Sequence, residues 1–456
     1  MADQSDSPVT VAASHTLTNG SIYTFDATYQ RQRPALLLNN GINGNNTIYA
    51  AFGSFCDYSA NHSRGWVLGW NANTLAPLST NRLDDSQATS PNNFFLSAIW
   101  MSGWGIASTG PHLYFSTGNS DPATYDGVTN IQESVVQLNT DLSLGGIFTP
   151  LNHAAMDGSD DDLGSGGVLL LPDQSWPIQY VAITAGKDGR LFVLNRIGLT
   201  TALNTYQLSG CWCGPSYFVG ADGIQRIVTS QGSNIHTWKL SLSPLPNLSD
   251  EGTVAIASGQ DPGFFTVVSS NGTQNGTAII WAVSRPTNNN PAHVNLYAFA
   301  APATNGTYTQ LFSSPAGTWP NTGGNANIVP VVANGKVYVA SYKALTIFGV
   351  GGTAAKIALN AALSNTALQP NSVAAPASSH LITGTLQVID RSTLTLQTRT
   401  GKSVKIDDAL ARVGVPLSVG TPLTVQGSMI EGNGALQATS IVRAKGSTCE
   451  LWPQDR

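Results

Sequence analysis

The sequence predicts an all-β protein organised as a β-propeller with a small C-terminal β-barrel, and three observations carry that prediction. Charged residues make up only 10% of the 456 residues, against about 25% in typical soluble domains. Glycine is abundant, at 46, and β-branched and turn-forming residues that favour strands over helices are frequent. Above all, one pattern recurs six times: an apolar strand, a Gly/Asn/Asp turn, then a second strand of alternating polarity.

The first copy is RPALLLNNGINGNNTIYAAFG, followed by GWVLGWNANTLAPL. Next come WMSGWGIASTGPHLYFSTGN with SVVQLNTDLSL, and GSGGVLLLPDQSWPIQYVAITAGKDGRLFVLNR. CGPSYFVGADGIQRIVTSQGSNIHTWKL, DPGFFTVVSSNGTQNGTAIIWAV with VNLYAFA, and ANIVPVVANGKVYVASYKALTIFGV complete the set. Their second strands begin near Ile48, Leu113, Tyr180, Ile227, Ala278 and Val337. Uneven spacing is what insertions in the loops of a repeat array produce. A single such sheet leaves apolar faces in water, and stacking several around an axis buries them.

Within the third copy, Lys187 beside Asp188 in GKDGR invites an acid/base reading. Corresponding places in other copies hold SQGSN, GSFCD and SYKAL, with no repeated Lys-Asp pair. The stretch therefore reads as a hairpin turn.

Candidate functional residues cluster where each copy leads into its innermost strand. DGSDDDLGSGG (157–167) is the densest acidic run. Asp157, Asp160, Asp161 and Asp162 offer oxygen ligands for calcium, although their spacing is not that of an EF-hand loop. IWMSGWG and CWCGPSYF hold the equivalent place in their own copies. Trp100, Trp104, Asp162, Ser165, Trp212 and Tyr217 are thus expected on one channel rim, where aromatic and small polar groups suit sugars or flat organic ligands. Blade-to-blade packing is the structural alternative for the tryptophans.

Other chemistries find little support. The seven histidines form no zinc pattern, Ser165 lies in GSGG rather than a nucleophile elbow, and GVGGTAAK is not a P-loop. Four cysteines in so long a chain are no disulfide framework. The net charge of −5 gives no reason to expect nucleic acid. No apolar run approaches the ~18 residues of a membrane span.

The phrases RQRPALLL, GWVLGWNANTL, IWMSGWG, LYFSTGN, DLGSGGVLLLP, AGKDGRLFVLNR, CWCGPSYF and PVVANGKVYVAS resemble the pyrroloquinoline-quinone-like (quinoprotein-type) β-propeller superfamily, bacterial secreted branch, over residues 8–350. The resemblance implies a propeller acting in the periplasm or extracellular space. Quinone-dependent dehydrogenases of this superfamily cradle pyrroloquinoline quinone (PQQ) on a Trp and a ring of two adjacent cysteines, with calcium beside it. Here Cys211 and Cys213 are separated by Trp212, so no cofactor site is carried over. The N-terminus, MADQSDSPVT, lacks the basic and apolar regions of a signal peptide. SPVTVAASHTLTNGSIYTFDATYQ reads as an outer strand, which either pairs with the last blade to close six blades or marks a seven-bladed propeller without its first blade.

After Val350 the composition changes. The expected organisation is a propeller over 1–350, an Ala/Ser/Asn-rich linker over 351–378, an OB-like barrel over 379–446 and a tail over 447–456. HLITGTLQVID, STLTLQTRTG, KSVKID, TPLTVQGSMI and ALQATSIVRA read as five strands, with a short helix at DDALARVG. Residues 380–446 hold seven Lys/Arg against four Asp/Glu but no Phe, Tyr or Trp. Without aromatic faces for bases to stack on, nucleic-acid binding is not expected.

The leading expectation is a monomeric, non-catalytic binding or scaffolding propeller that needs no cofactor. Its partner is a small molecule, a saccharide or a protein. The alternative is a PQQ- and calcium-dependent oxidoreductase of alcohols or sugars. A saccharide-binding or lyase-like propeller is the third.

Overall fold

In the computed structural model, residues 7–358 and 380–443 are described, apart from 41–45, 55–61, 88–94, 122, 176–177, 209–213, 232–233, 257–264, 285–290, 320–326, 350–354, 391–392, 399–401, 408–411, 414–418, 420–421 and 430–435. The chain forms two compact units that divide at Asn360/Ala361.

The first unit is a β-propeller of six antiparallel blades in chain order. Blade 1 pairs Leu37–Asn40, Asn46–Ser54, Trp66–Asn71 and Arg82–Leu83, with Gln30–Arg31 extending its inner side. Blade 2 runs Ala107–Ser108, His112–Ser116, Val135–Asn139, Leu144–Phe148. Leu169–Leu170, Val181–Ala185, Arg190–Asn195 and Ala202–Gln207 make blade 3. Blade 4 is Ser216–Val219, Gln225–Gln231, Asn234–Ser241, Asn247–Ala255. Phe265–Ser269, Ile279–Val283, Ala292–Ala300 and Gln310–Trp319 make blade 5. Blade 6 is Val331–Ala333, Lys336–Ser341, Ala344–Gly349 and Ala355–Ala358.

Every second strand lies within two residues of its expected start, because alternation of apolar and polar residues sets which face is buried. Leu113 and Phe115, for example, point to one neighbour and Tyr114 to the other, and all three are buried. Apolar clusters join blades 1–2, 2–3, 3–4, 4–5 and 5–6 in turn. Among the described residues no such cluster joins blade 6 to blade 1.

Instead, an N-terminal hairpin, Ser14–Thr16 with Ile22–Thr24, covers the outer part of the free face of blade 1. Leu17, Tyr23 and Phe25 pack there on Phe52, Trp66 and Leu68. The closure of six blades by pairing this segment with the last blade is not found among the described residues. The hairpin strands pair with each other, and the outer place in blade 6 is taken by Ala355–Ala358, inside the stretch read as linker. Leu38 on blade 1 and Val331 on blade 6 stay 64% and 54% exposed. A polar clasp spans the channel instead: Arg33 donates to Asn327 Oδ1 at 3.0 and 3.1 Å and lies over the Trp100 ring.

In the second unit His380–Asp390, Thr393–Thr398, Ser403–Asp407, Pro422–Met429 and Leu436–Arg443 are the five expected strands. They pair in the order third, second, first, fourth, fifth, and Ile406 of the third also meets Leu436 of the fifth, so the hydrogen-bonded path returns on itself. Leu386, Leu394, Ile406, Val425 and Leu436 fill its interior. Within the expected helix, Arg412–Val413 is instead a short strand parallel to Ser440 and Ile441. Residues 408–411 lie outside the described ones.

Candidate functional site

Three lead-in segments shape the rim between blades 2 and 3. Residues 98–104 turn through a 3₁₀ segment, Met101–Gly103, before entering blade 2. Leu163–Ser165 forms a second 3₁₀ segment before blade 3. It follows a short helix, His153–Ser159, which Asp160 ends in the left-handed conformation at φ +57°. No periodic signal marks this helix in the sequence; it is one turn of backbone stabilised by its surroundings rather than by propensity.

Trp100, Trp104, Asp162 and Ser165 do converge. A side chain at Gly118 would meet both Asp162 and the Trp100 ring. Trp104 lies against Gly167 and Gly214, whose missing Cβ atoms make room for its indole. Trp100 and Asp162 are 3% exposed, so the rim is packed rather than open. Tyr217 does not join them. Its ring packs between blades 3 and 4, and its hydroxyl donates to Gln225 Oε1 at 3.0 Å. Gln225 in turn reaches Gln174 on the wall of a separate groove of about 510 Å³. Trp212, Cys211 and Cys213 lie outside the described residues.

The acids are engaged with protein groups. Asp162 Oδ1 accepts the Asn119 backbone N–H at 3.0 Å, and its Oδ2 accepts Lys187 Nζ at 2.5 Å. Asp160 Oδ1 accepts from Lys187 Nζ at 3.4 Å and from Asn119 Nδ2 at 3.3 Å. Asp157 Oδ1 accepts the Ser120 N–H at 2.9 Å. The Ser165 hydroxyl donates to the Asp162 carbonyl at 3.0 Å. These contacts tie blade 2 to blade 3 at their inner ends.

The turn GKDG is a hairpin turn, as its sequence predicts: Gly186 N–H bonds back to Arg190 and Gly189 sits at φ +78°. Yet Lys187 is also the ammonium that holds Asp160 and Asp162. That role is unreadable from the turn alone, because its partners lie 25 and 27 residues earlier.

Sequence reasoning also missed Gln132 and Glu133, which lie between two blade-2 strands and are fully buried. Leu163 N–H donates to Glu133 Oε2 at 2.6 Å. Burial, then the charges of Asp162 and Asp157, holds the Glu133 carboxyl well above the usual range. Burial likewise pushes Asp157 up to about 7. A second buried acid pair lies nearby: Ser120 bridges to Asp85 at 2.8 Å, and Asp85 faces Arg64 at 3.8 Å. Burial raises Asp85 to about 6 and the adjoining Asp84 to about 7.

Asp157, Asp160 and Asp162 do not fit a calcium centre as a set. The Lys187 ammonium stands between Asp160 and Asp162, where a metal would have to bind, and like charges exclude each other. Among the described residues, no group of three or more His, Cys, Asp or Glu side chains has the arrangement of a metal site. The calcium that the quinone alternative requires is not offered by these residues.

One rim group is left open. The Trp104 indole Nε1–H is buried and has no acceptor.

No family model matches the chain, and no curated protein matches it. Among solved structures it is similar to a chain of BBS1N in complex with ARL6DN, at 12% identity and TM-score 0.41, over 83% of this chain and 92% of that one. It is also similar to quinohemoprotein alcohol dehydrogenase ADHIIG from Pseudomonas putida HK5, at 14% identity and TM-score 0.42, over 78% of this chain and 65% of that one. A third is the Nup133 β-propeller domain of Vanderwaltozyma polyspora, at 10% identity and TM-score 0.33, over 78% of this chain and 89% of that one. At such identities these likenesses say nothing of what this chain binds or catalyses.

Proposed function

We propose that the propeller is a non-catalytic binding or scaffolding module acting outside the cytoplasm, and that its ligand meets the rim at Trp104. The observation that carries this reading is the Trp104 indole N–H, a buried donor with no acceptor. Leaving such a donor unpaired costs roughly 1–3 kcal/mol, and a ligand oxygen placed against it recovers that energy. The same rim supplies no free acid or base, since Asp162 is held by a backbone N–H and an ammonium. A small molecule or saccharide with an exposed acceptor oxygen fits this chemistry, as does a protein loop presenting a carbonyl. The extracytoplasmic setting rests on the sequence resemblance.

The test is a glycan and small-molecule binding screen on wild type and Trp104→Phe. Ligands are expected that the wild type retains and the variant loses, with no dye-linked oxidation of alcohols or sugars in the presence of PQQ and calcium. Turnover under those conditions contradicts the proposal.

A further inference from the structure

Gln132 and Glu133 are consecutive, fully buried, and each carries one oxygen without a partner, Gln132 Oε1 and Glu133 Oε1. Glu133 also holds its backbone at φ +48°, a conformation that a side chain adopts only when its surroundings impose it. The Gln132 amide nitrogen donates to the Asp121 carbonyl at 3.2 Å and faces Asp157 Oδ2 at 3.5 Å. Glu133 is fixed by the Leu163 N–H on its other oxygen. Two orphan acceptors therefore lie in the niche where blade 2 meets Asp157 and the lead-in to blade 3.

Charge in the niche is out of balance. Glu133, Asp157, Asp160 and Asp162 stand against the one ammonium of Lys187. Uncompensated buried charge is too costly to persist. A proton taken up by Glu133 removes one charge but leaves its O–H without an acceptor, and Gln132 Oε1 stays orphaned. A positive ion answers both deficits at once.

We propose that one hard cation of the calcium or magnesium kind binds between Glu133 Oε1, Gln132 Oε1 and the Asp157 carboxylate, with water completing its shell. All three donors are oxygen, which selects such ions over zinc or copper. Two carboxylates and an amide are an incomplete protein shell, and these ions accept water in the remaining places. This site needs no quinone and braces blade 2 against blade 3. It is independent of ligand binding at Trp104, so either reading can fail alone.

The experiment is thermal unfolding of the full chain after treatment with EDTA, at pH 7.5. Calcium chloride or magnesium chloride is added against choline chloride of equal ionic strength. A saturable rise of several degrees is expected in wild type, since an ion that binds only the folded state stabilises it. Glu133→Gln and Gln132→Leu, each checked for folding by circular dichroism, are expected to lose the rise. Should Glu133→Gln not fold, Gln132→Leu carries the comparison. No rise in wild type with either salt overturns the proposal, as does an undiminished rise in Gln132→Leu.

Discussion

Blade 4 and the junction of blades 2 and 3 both bury charge, and they do so in opposite ways. In blade 4, Arg226 is 1% exposed and is gripped by two carboxylates. It meets Glu251 at 2.7 and 2.8 Å and Asp222 at 2.7 and 2.8 Å. Every guanidinium donor has an oxygen, and the Arg226 hydrogen bonds hold Asp222 well below the usual carboxylate range. At the blade 2–3 junction the acids outnumber the cation, and burial pushes Glu133 and Asp157 upward. A balanced group is a tie. An unbalanced one, with oxygens left over, is a place where something else binds.

Breaking the balanced tie should have the largest effect. Arg226→Ala leaves Glu251 buried and unpaired, a change that typically costs about 3–5 kcal/mol. A chemical-denaturation midpoint measures it, and a loss below ~1 kcal/mol would place this pair with ordinary surface ion pairs.

Lys187→Met comes next and sharpens the contrast. It removes the only ammonium from an acid-rich niche, so the loss should be large at pH 8. It should shrink at pH 5.5, where the raised carboxyls take up protons. Equal losses at both values would mean that the niche acids do not titrate in that window.

The pH dependence of the wild type follows with the same sign. Asp84, Asp85 and Asp157 have folded-state values of about 7, 6 and 7, above their unfolded ones. Folding therefore favours their protonated forms, and this stabilisation is complete below pH 4 and lost as pH rises through 6–7. Each unit of upward shift corresponds to about 1.4 kcal/mol. In cation-free buffer the propeller should unfold at higher denaturant at pH 5.5 than at pH 8. Asp222, lowered and largely exposed, contributes oppositely, weakly, and only at more acidic pH.

Tyr217→Phe is the smallest change. It deletes the one hydrogen bond to Gln225 and leaves the ring packed between blades 3 and 4, so about 0.5–1.5 kcal/mol is expected. It should leave rim binding intact, because Tyr217 stands apart from Trp104. Lost ligand binding in this variant would put Tyr217 back on the rim.

The blades were legible because alternation is a local, period-two signal repeated six times: Ile48, Leu113, Tyr180, Ile227, Ala278 and Val337 all fall at or beside the start of a second strand. Fourth strands are harder, since an outer strand needs little apolar pattern. Ala355–Ala358 lies in an Ala-rich stretch that composition alone assigns to a linker. The rim was half legible: Trp100, Trp104, Asp162 and Ser165 meet because each sits just ahead of an innermost strand. Tyr217 was misplaced because it lies one residue inside Ser216–Val219 and points between blades. Lys187, Gln132 and Glu133 carried no signal, for their importance lies in partners from other segments. Only the fold brings these together.

The most direct test of the account is a calorimetric titration of PQQ into the folded, calcium-saturated chain, with a calcium-free control. The account predicts no quinone heat in either case, because a Lys187 ammonium stands among the acids that a quinone-bound calcium would need. Saturable, calcium-dependent quinone binding would contradict it and turn the rim into a cofactor site.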